Sequence, residues 1–362
     1  MLPGSLLVKP VSARCNLACR YCFYARRSDL YPHGRRVCMS DEVLEGMISQ
    51  YLGMSAEHAS FSWQGGEPLL AGLDFYKRAV KLQEAHGRGH VVSNAFQTNG
   101  TLLSEDWAKF FRRYKFLVGI SIDGPADLHN AYRRTRRGGP TFDVAMKGLS
   151  VLKQGHVEFN ALCVVTDLSA GRWKDIYAFF ADEGVRYLQF VPCCERDPAG
   201  NASPFNVPPD QYGDFLCRMF DLWKADFPNV YIRLFNSVLA TRLGGKGGFC
   251  TLGPRCAEYV VVEYNGDIYP CDFFVEKDTL LGNLIETPLA RIVEGTALEQ
   301  FAQTKTRLPQ ECRDCPWLDL CFGGCQYHRP DRIHPSRSDL CASYKGFFEH
   351  SEEGFRELER RL

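Results

Sequence analysis

From residue 6 to about 230, short runs rich in β-branched and aromatic residues alternate with longer stretches whose apolar positions recur at helical spacing. This is the pattern of repeated βα units around a parallel sheet. The runs predict six strands: Leu6–Val11, Ser60–Gln64, Val91–Thr98, Phe116–Asp123, Glu158–Thr166 and Tyr187–Pro192. Between them, one helix is expected over Asp41–Met54, with Ser40 as N-cap and Asp41 and Glu42 in a first turn that favours negative charge. Another is expected over Phe142–Gln154, closed by Gly155. Further helices are read near 73–85, 104–114, 172–183 and 209–226. Six such units fall short of the eight that close a barrel. The expected fold class is therefore α/β, an open partial barrel whose ligand-binding mouth lies at the C-terminal ends of the strands. Gly244-Gly245-Lys246-Gly247-Gly248 marks a loop or boundary, and residues from about 342 to 362 read as a charged C-terminal helix.

Cysteine changes the picture. The chain holds 16 in 362 residues, three near the start and eight between Cys250 and Cys341. Cys15, Cys19 and Cys22 follow the first strand with CxxxCxxC spacing, which lets one loop grip three corners of a four-iron cluster and leave the fourth iron open. Zinc is the alternative on spacing alone, although structural zinc ordinarily takes four ligands and this loop offers three. Disulfide frameworks belong to small secreted chains. The N-terminal Met-Leu-Pro-Gly has neither a basic n-region nor a long apolar run, so a reducing cytoplasmic setting is expected. No stretch of about 18 consecutive apolar residues occurs, and no membrane span is expected. Lys plus Arg equals Asp plus Glu at 43 each, which argues against nucleic acid held by bulk charge.

The strand ends carry further chemistry. Gly65-Gly66-Glu67-Pro68 follows the second strand, where glycines let backbone approach a ligand and Glu67 offers an acceptor for a cation such as an ammonium. Thr98-Asn99-Gly100 and Ser121-Ile122-Asp123-Gly124 repeat a small polar residue with a glycine at the next two ends. Each alone reads equally as turn chemistry, but their convergence with a cysteine loop on one rim reads as a site.

With these residues in view, the chain resembles the radical SAM superfamily, whose CxxxCxxC loop binds a [4Fe–4S] cluster and whose GGEP-type segment holds the amine of S-adenosyl-L-methionine (SAM). The resemblance implies that Gly65, Gly66 and Glu67 take that amine, that Ser121 and Asp123 lie near the ribose, and that Arg133 meets the carboxylate, with Arg134 and Arg136 as competitors.

The second cysteine group reads Cys250, Cys256 and Cys271, then Cys312, Cys315, Cys321 and Cys325, then Cys341, with Asn265-Gly266 as a type I′ signal for a hairpin between Cys256 and Cys271. Eight ligands make two sets of four, which two zinc ions would also satisfy. The spacing is similar to the SPASM domain of peptide-modifying radical SAM enzymes. That likeness implies one auxiliary [4Fe–4S] cluster on Cys250, Cys256, Cys271 and Cys325 and another on Cys312, Cys315, Cys321 and Cys341, three clusters in all. It divides the chain into a partial (β/α)6 barrel over 1–235, a SPASM domain over 236–341 and a C-terminal helix over 342–362. The other five cysteines, Cys38, Cys163, Cys193, Cys194 and Cys217, read mostly as small core residues.

Within the superfamily, Lys9-Pro10, Cys22-Phe23-Tyr24, Gln64-Gly65-Gly66-Glu67-Pro68, Gln97-Thr98-Asn99-Gly100-Thr101 and Tyr269-Pro270-Cys271-Asp272-Phe273 resemble the anaerobic sulfatase-maturating enzymes. The resemblance implies oxidation of a Cys or Ser in an unfolded sulfatase polypeptide to Cα-formylglycine, with Asp272 as general base and Tyr24 and Gln64 as substrate contacts. It also implies a reductant such as flavodoxin or ferredoxin, and no nucleic-acid or membrane partner. A thioether-forming radical SAM enzyme would share every cluster cysteine. A zinc-stapled binding module is the alternative of another class.

Overall fold

The computed structural model describes residues 3–31, 37–55, 57–197, 200–332 and 334–362; Met1 and Leu2, part of the leader reading, lie outside them. Its strands are β1 (Ser5–Lys9), β2 (His58–Trp63), β3 (Val91–Thr98), β4 (Leu117–Ser121), β5 (Phe159–Val165), β6 (Tyr187–Pro192), β7 (Tyr231–Ile232), β8 (Tyr259–Glu263), β9 (Asp267–Tyr269) and β10 (Gly282–Asn283). The chain divides into two compact units, one of residues 1–121, 132–159 and 257–301, the other of residues 122–131, 160–256 and 302–362.

In the first unit the strand order is β10-β9-β8-β1-β2-β3-β4. β1 to β4 run parallel, with Leu6 opposite Phe61, Phe61 opposite Asn94 and Phe96 opposite Val118, so their C-terminal ends share one rim. The faces are apolar because both are covered: Leu6, Val8, Phe61, Val118 and Ile120 are fully buried. Trp63 packs edge-on against Tyr76 at 5.4 Å, and Phe96 against Phe111 at 4.9 Å. The helix Asp41–Met54 begins where expected, with the Ser40 hydroxyl accepting from the Val43 amide at 3.2 Å. It buries Val43, Leu44, Met47, Ile48 and Tyr51, each contributing about 1.5–3 kcal/mol where fully buried.

Two local expectations are corrected. The helix Phe142–Gln154 ends at Gly155, but Gly155 has φ −76° and the left-handed residue is His156. Glycine is required at 155 for space, since a Cβ there would stand 2.6 Å from that of Ala108. The hairpin forms, with Val261 opposite Tyr269, but its turn is not type I′. Glu263 accepts from the Gly266 amide at 2.9 Å and within the turn Gly266 alone has positive φ, at 92°. The loop is three residues long and closes on a left-handed glycine, whereas type I′ would need positive φ at Asn265 too.

The hairpin's placement gave no signal in the sequence. β8 lies parallel to β1, pairing Leu6 with Val260 and Val8 with Val262. Val260, Val261 and Val262 are all fully buried, the continuous apolar run of a strand covered on both faces.

In the second unit β5, β6 and β7 pair in parallel, Cys163 opposite Phe190 and Leu188 opposite Ile232. The helices Pro209–Asp226 and Cys341–Glu359 pack along one another through Phe220 and Phe355, with ring centroids 4.7 Å apart. Arg242 clamps the second of these helices through Glu352 at 2.6 Å and through Glu359. Cys163, Cys193 and Cys194 are buried as expected of small core residues, while Cys38 and Cys217 are half-buried. Among the described residues no helix is long and apolar enough to cross a membrane.

Candidate active site

The first unit holds a cleft of about 880 Å³ whose wall includes Cys15, Cys19, Cys22, Gly66, Tyr24 and Arg136. The parallel register brings these together, because the loops after β1, β2 and β3 all leave from the same rim. Asn16 and Asn99 tie two loops: Asn99 Nδ2 donates to Asn16 Oδ1 at 2.9 Å, and Asn16 Nδ2 donates to Thr101 Oγ1 at 2.8 Å. Arg136 Nε donates to the Cys15 carbonyl at 2.9 Å. Burial pushes the Cys15 thiol up to about 12 and raises Cys22 as well, the latter opposed by Arg133 and Lys9. Thiols in that state become ligands only when a metal compensates the buried charge. Three free cysteines on one loop, Cys15, Cys19 and Cys22, fit a cluster held at three corners.

The Gly65-Gly66-Glu67 segment is a close-packed cradle. Gly66 has φ 49°, and a Cβ there would stand 2.0 Å from the Arg14 carbonyl oxygen. Glu67 is fully buried. One carboxylate oxygen accepts from Thr98 Oγ1 at 2.8 Å and the Leu69 amide at 3.0 Å, the other from the Asn99 amide at 2.8 Å. Burial lifts its carboxyl to about 7 against those hydrogen bonds, and no described cation forms an ion pair with it. A ligand ammonium would complete the charge. Ser121, at the end of β4, accepts from Gln97 Nε2 at 3.0 Å. Asp123 belongs to the second unit, where its Oδ1 accepts from the Val164 amide at 3.0 Å. Arg133 is buried with its guanidinium 5.4 Å over Tyr21, whereas Arg136 lines the cleft.

Asp272 follows the hairpin and is buried. Its Oδ1 lies 2.5 Å from Lys9 Nζ, and its Oδ2 accepts from Gln64 Nε2 at 2.9 Å. Lys9 is fully buried and sits 4.0 Å over the Tyr24 ring, while the Tyr24 hydroxyl donates to Glu263. Tyr24, Gln64 and Asp272 are thus gathered by Lys9 and Glu263, opposite each other in the β1–β8 register. Sequence reasoning noted Lys9 only as part of a motif and passed over Glu263. The available signal was a single charge closing each apolar run, Leu6-Leu7-Val8-Lys9 and Val260-Val261-Val262-Glu263.

In the second unit, Cys250 and Cys325 lie within electrostatic reach of Cys256, and Cys250 of Cys325. Separately, Cys312, Cys315 and Cys341 act on Cys321. Three members of the first implied set, and the four of the second, are thus near one another in this unit. Cys271 lies in the first unit, where its sulfur is 3.4 Å from the Tyr259 hydroxyl.

Comparison with known proteins accords with this geometry. Residues 10–180 match the Radical SAM superfamily and residues 250–316 an iron–sulfur cluster-binding domain of the SPASM type. The chain is therefore a radical SAM enzyme with a SPASM region. It is 39% identical to the serine-type anaerobic sulfatase-maturating enzyme of Bacteroides thetaiotaomicron, over 96% of this chain and 89% of that one. It is 40% identical to the cysteine-type enzyme of Clostridium perfringens, over 97% of both. The solved structure of native anSMEcpe with bound AdoMet and Cp18Cys peptide superposes with a TM-score of 0.91 at 37% identity, covering 99% of each chain. The chain belongs to the anaerobic sulfatase-maturating enzymes.

Proposed function

We propose that this chain converts a Cys or Ser side chain of an unfolded sulfatase polypeptide to Cα-formylglycine, with Asp272 as the group that takes the departing proton. The observation that carries this reading is the buried Asp272 carboxylate, held by Lys9 and Gln64 in the unit that carries the CxxxCxxC cleft. When bound, SAM and the cluster at Cys15, Cys19 and Cys22 supply a hydrogen-abstracting radical.

The protein's own groups do the rest. Gly65, Gly66 and Glu67 receive the SAM amine. The basic run receives its carboxylate, Arg136 from the cleft wall and Arg133 beside Tyr21. Ser121 and Asp123 receive the ribose. Losing one hydrogen atom from the substrate Cβ leaves one proton on sulfur or oxygen and one electron to remove before the carbon–heteroatom double bond forms. Asp272, oriented by Lys9 and Gln64, accepts the proton once the substrate brings it within about 2.6–3.2 Å. Tyr24 and Gln64 border the substrate. Cys250, Cys256, Cys271 and Cys325, and Cys312, Cys315, Cys321 and Cys341, would hold two auxiliary clusters, which would supply an acceptor for that electron. A flavodoxin- or ferredoxin-type reductant in the cytoplasm completes the cycle. Support comes from the family membership and from the grouping of the second-unit cysteines.

The test is anaerobic incubation of the reconstituted protein with SAM, dithionite and sulfatase-derived Cys and Ser peptides, following peptide mass and 5′-deoxyadenosine together. Formylglycine from Cys exchanges sulfur for oxygen with loss of two hydrogens, and from Ser loses two hydrogens only. Nucleoside without either product would move the substrate elsewhere; no nucleoside from iron-replete protein would overturn the reading.

A further inference from the structure

The segment Cys321-Phe322-Gly323-Gly324-Cys325 joins the two cysteine sets of the second unit, one set at each end. It wraps around Arg329. The Arg329 guanidinium is buried. Its Nη2 donates to the carbonyls of Lys305 at 2.8 Å and Gly323 at 3.4 Å, and its Nη1 to those of Thr304 and Arg307, both at 3.3 Å. Its Nε is buried with no hydrogen-bond partner. Gly323 has φ 73°, and a Cβ there would stand 2.3 Å from Leu308 Cδ2 and 3.0 Å from Nη2. No described carboxylate pairs with Arg329. The groups within electrostatic reach of it that can become anionic are cysteines of both sets, Cys312 and Cys321 from one and Cys256 and Cys325 from the other.

A second buried cation behaves differently. Lys305 is 1% exposed, and its Nζ donates to the carbonyls of Cys250 at 2.7 Å and Thr251 at 3.0 Å. It bears on Cys256 and Cys325, of one set alone. Burying a cation without a counter-charge is costly, and carbonyl dipoles offset only part of that cost. The missing anions are the loaded cysteine sets, each of which carries negative charge when it holds a cluster.

We infer that Arg329 is a counter-ion shared by the two auxiliary cluster sites, and that Lys305 serves the Cys250–Cys256–Cys325 site alone. The inference rests on the reading that these sets hold iron–sulfur clusters. A positive charge beside a cluster favours its reduced, more negative form, so Arg329 raises both reduction potentials and Lys305 raises one. Both are positioning residues for electron removal; neither touches substrate.

The test is a redox titration of the anaerobically reconstituted, full-length protein, followed by electron paramagnetic resonance, with iron and sulfide assayed in each sample. Arg329→Gln is expected to lower the potentials of both auxiliary clusters, Lys305→Gln that of one, and Arg329→Lys, which keeps the charge but not the four carbonyl bonds, to restore most of the lost potential. Equal failure of Arg329→Lys and Arg329→Gln would make Arg329 a structural brace and overturn the assignment. So would wild-type potentials in an iron-replete Arg329→Gln protein. Wild-type protein that takes up no iron beyond one cluster would overturn the cluster reading itself, and the assignment with it.

Discussion

Lys9 in the first unit and Lys305 in the second are buried to the same degree, at 0% and 1% exposure, yet they face opposite partners. Lys9 meets the Asp272 carboxylate and the face of Tyr24; among the described residues Lys305 hydrogen-bonds to backbone carbonyls alone. The protein thus neutralises the first cation by itself and leaves the second for an anion that arrives with a cofactor. Whether a buried charge is finished or waiting is read from its partner rather than from its burial.

The comparison can be broken most severely at Asp272. Asp272→Asn keeps the shape but removes the proposed proton acceptor, and product formation is expected to fall by about 10²–10⁴-fold, while 5′-deoxyadenosine continues to form; peptide mass and nucleoside, measured together, check this. Next comes the cation. Lys9→Met leaves a buried carboxylate unpaired and is expected to cost about 3–5 kcal/mol of stability, read by denaturant unfolding of the apo protein.

A third effect concerns Glu67. Its folded-state carboxyl lies at about 7, above the ordinary carboxylate value of 4.5, so between these values the folded state binds the extra proton and apo stability falls as pH rises. The loss approaches about 3 kcal/mol and is complete above the folded value; unfolding midpoints at pH 5 and pH 8 measure it, and Glu67→Gln is expected to remove this share of the slope, leaving that of Glu263, whose carboxyl burial also lifts to about 7. Smallest is Lys305→Met in the apo protein, expected to change stability by under about 1 kcal/mol, because losing two carbonyl bonds is offset by removing an unneutralised charge. A change in unfolding free energy as large as that of Lys9→Met would erase the distinction between the two lysines.

Much of the frame was legible. β3 and β6 and the helix Asp41–Met54 fall on the residues expected from pattern and capping alone, because buried parallel strands and capped amphipathic helices write their own periodicity. The cysteine sets were legible as spacing, but their interleaving rested on family likeness. The roles of Lys9 and Glu263 were not legible, since they depend on β8 lying beside β1 across some 250 residues of chain, and no local pattern encodes which strand a distant hairpin joins. Arg329 was hidden for the same reason: its partners are carbonyls contributed from residues 304–307 and 323.

The β1–β8 pairing also bears on how the protein is made. Lys9 leaves the ribosome about 250 residues ahead of Glu263 and Asp272. The cysteine loop and the Gly-Gly cradle are present on the nascent chain long before Asp272, the proposed proton acceptor, is. On that reading catalytic competence is withheld until the β8–β9 hairpin has been synthesised, and a product truncated before residue 257 would carry the cleft cysteines without Asp272.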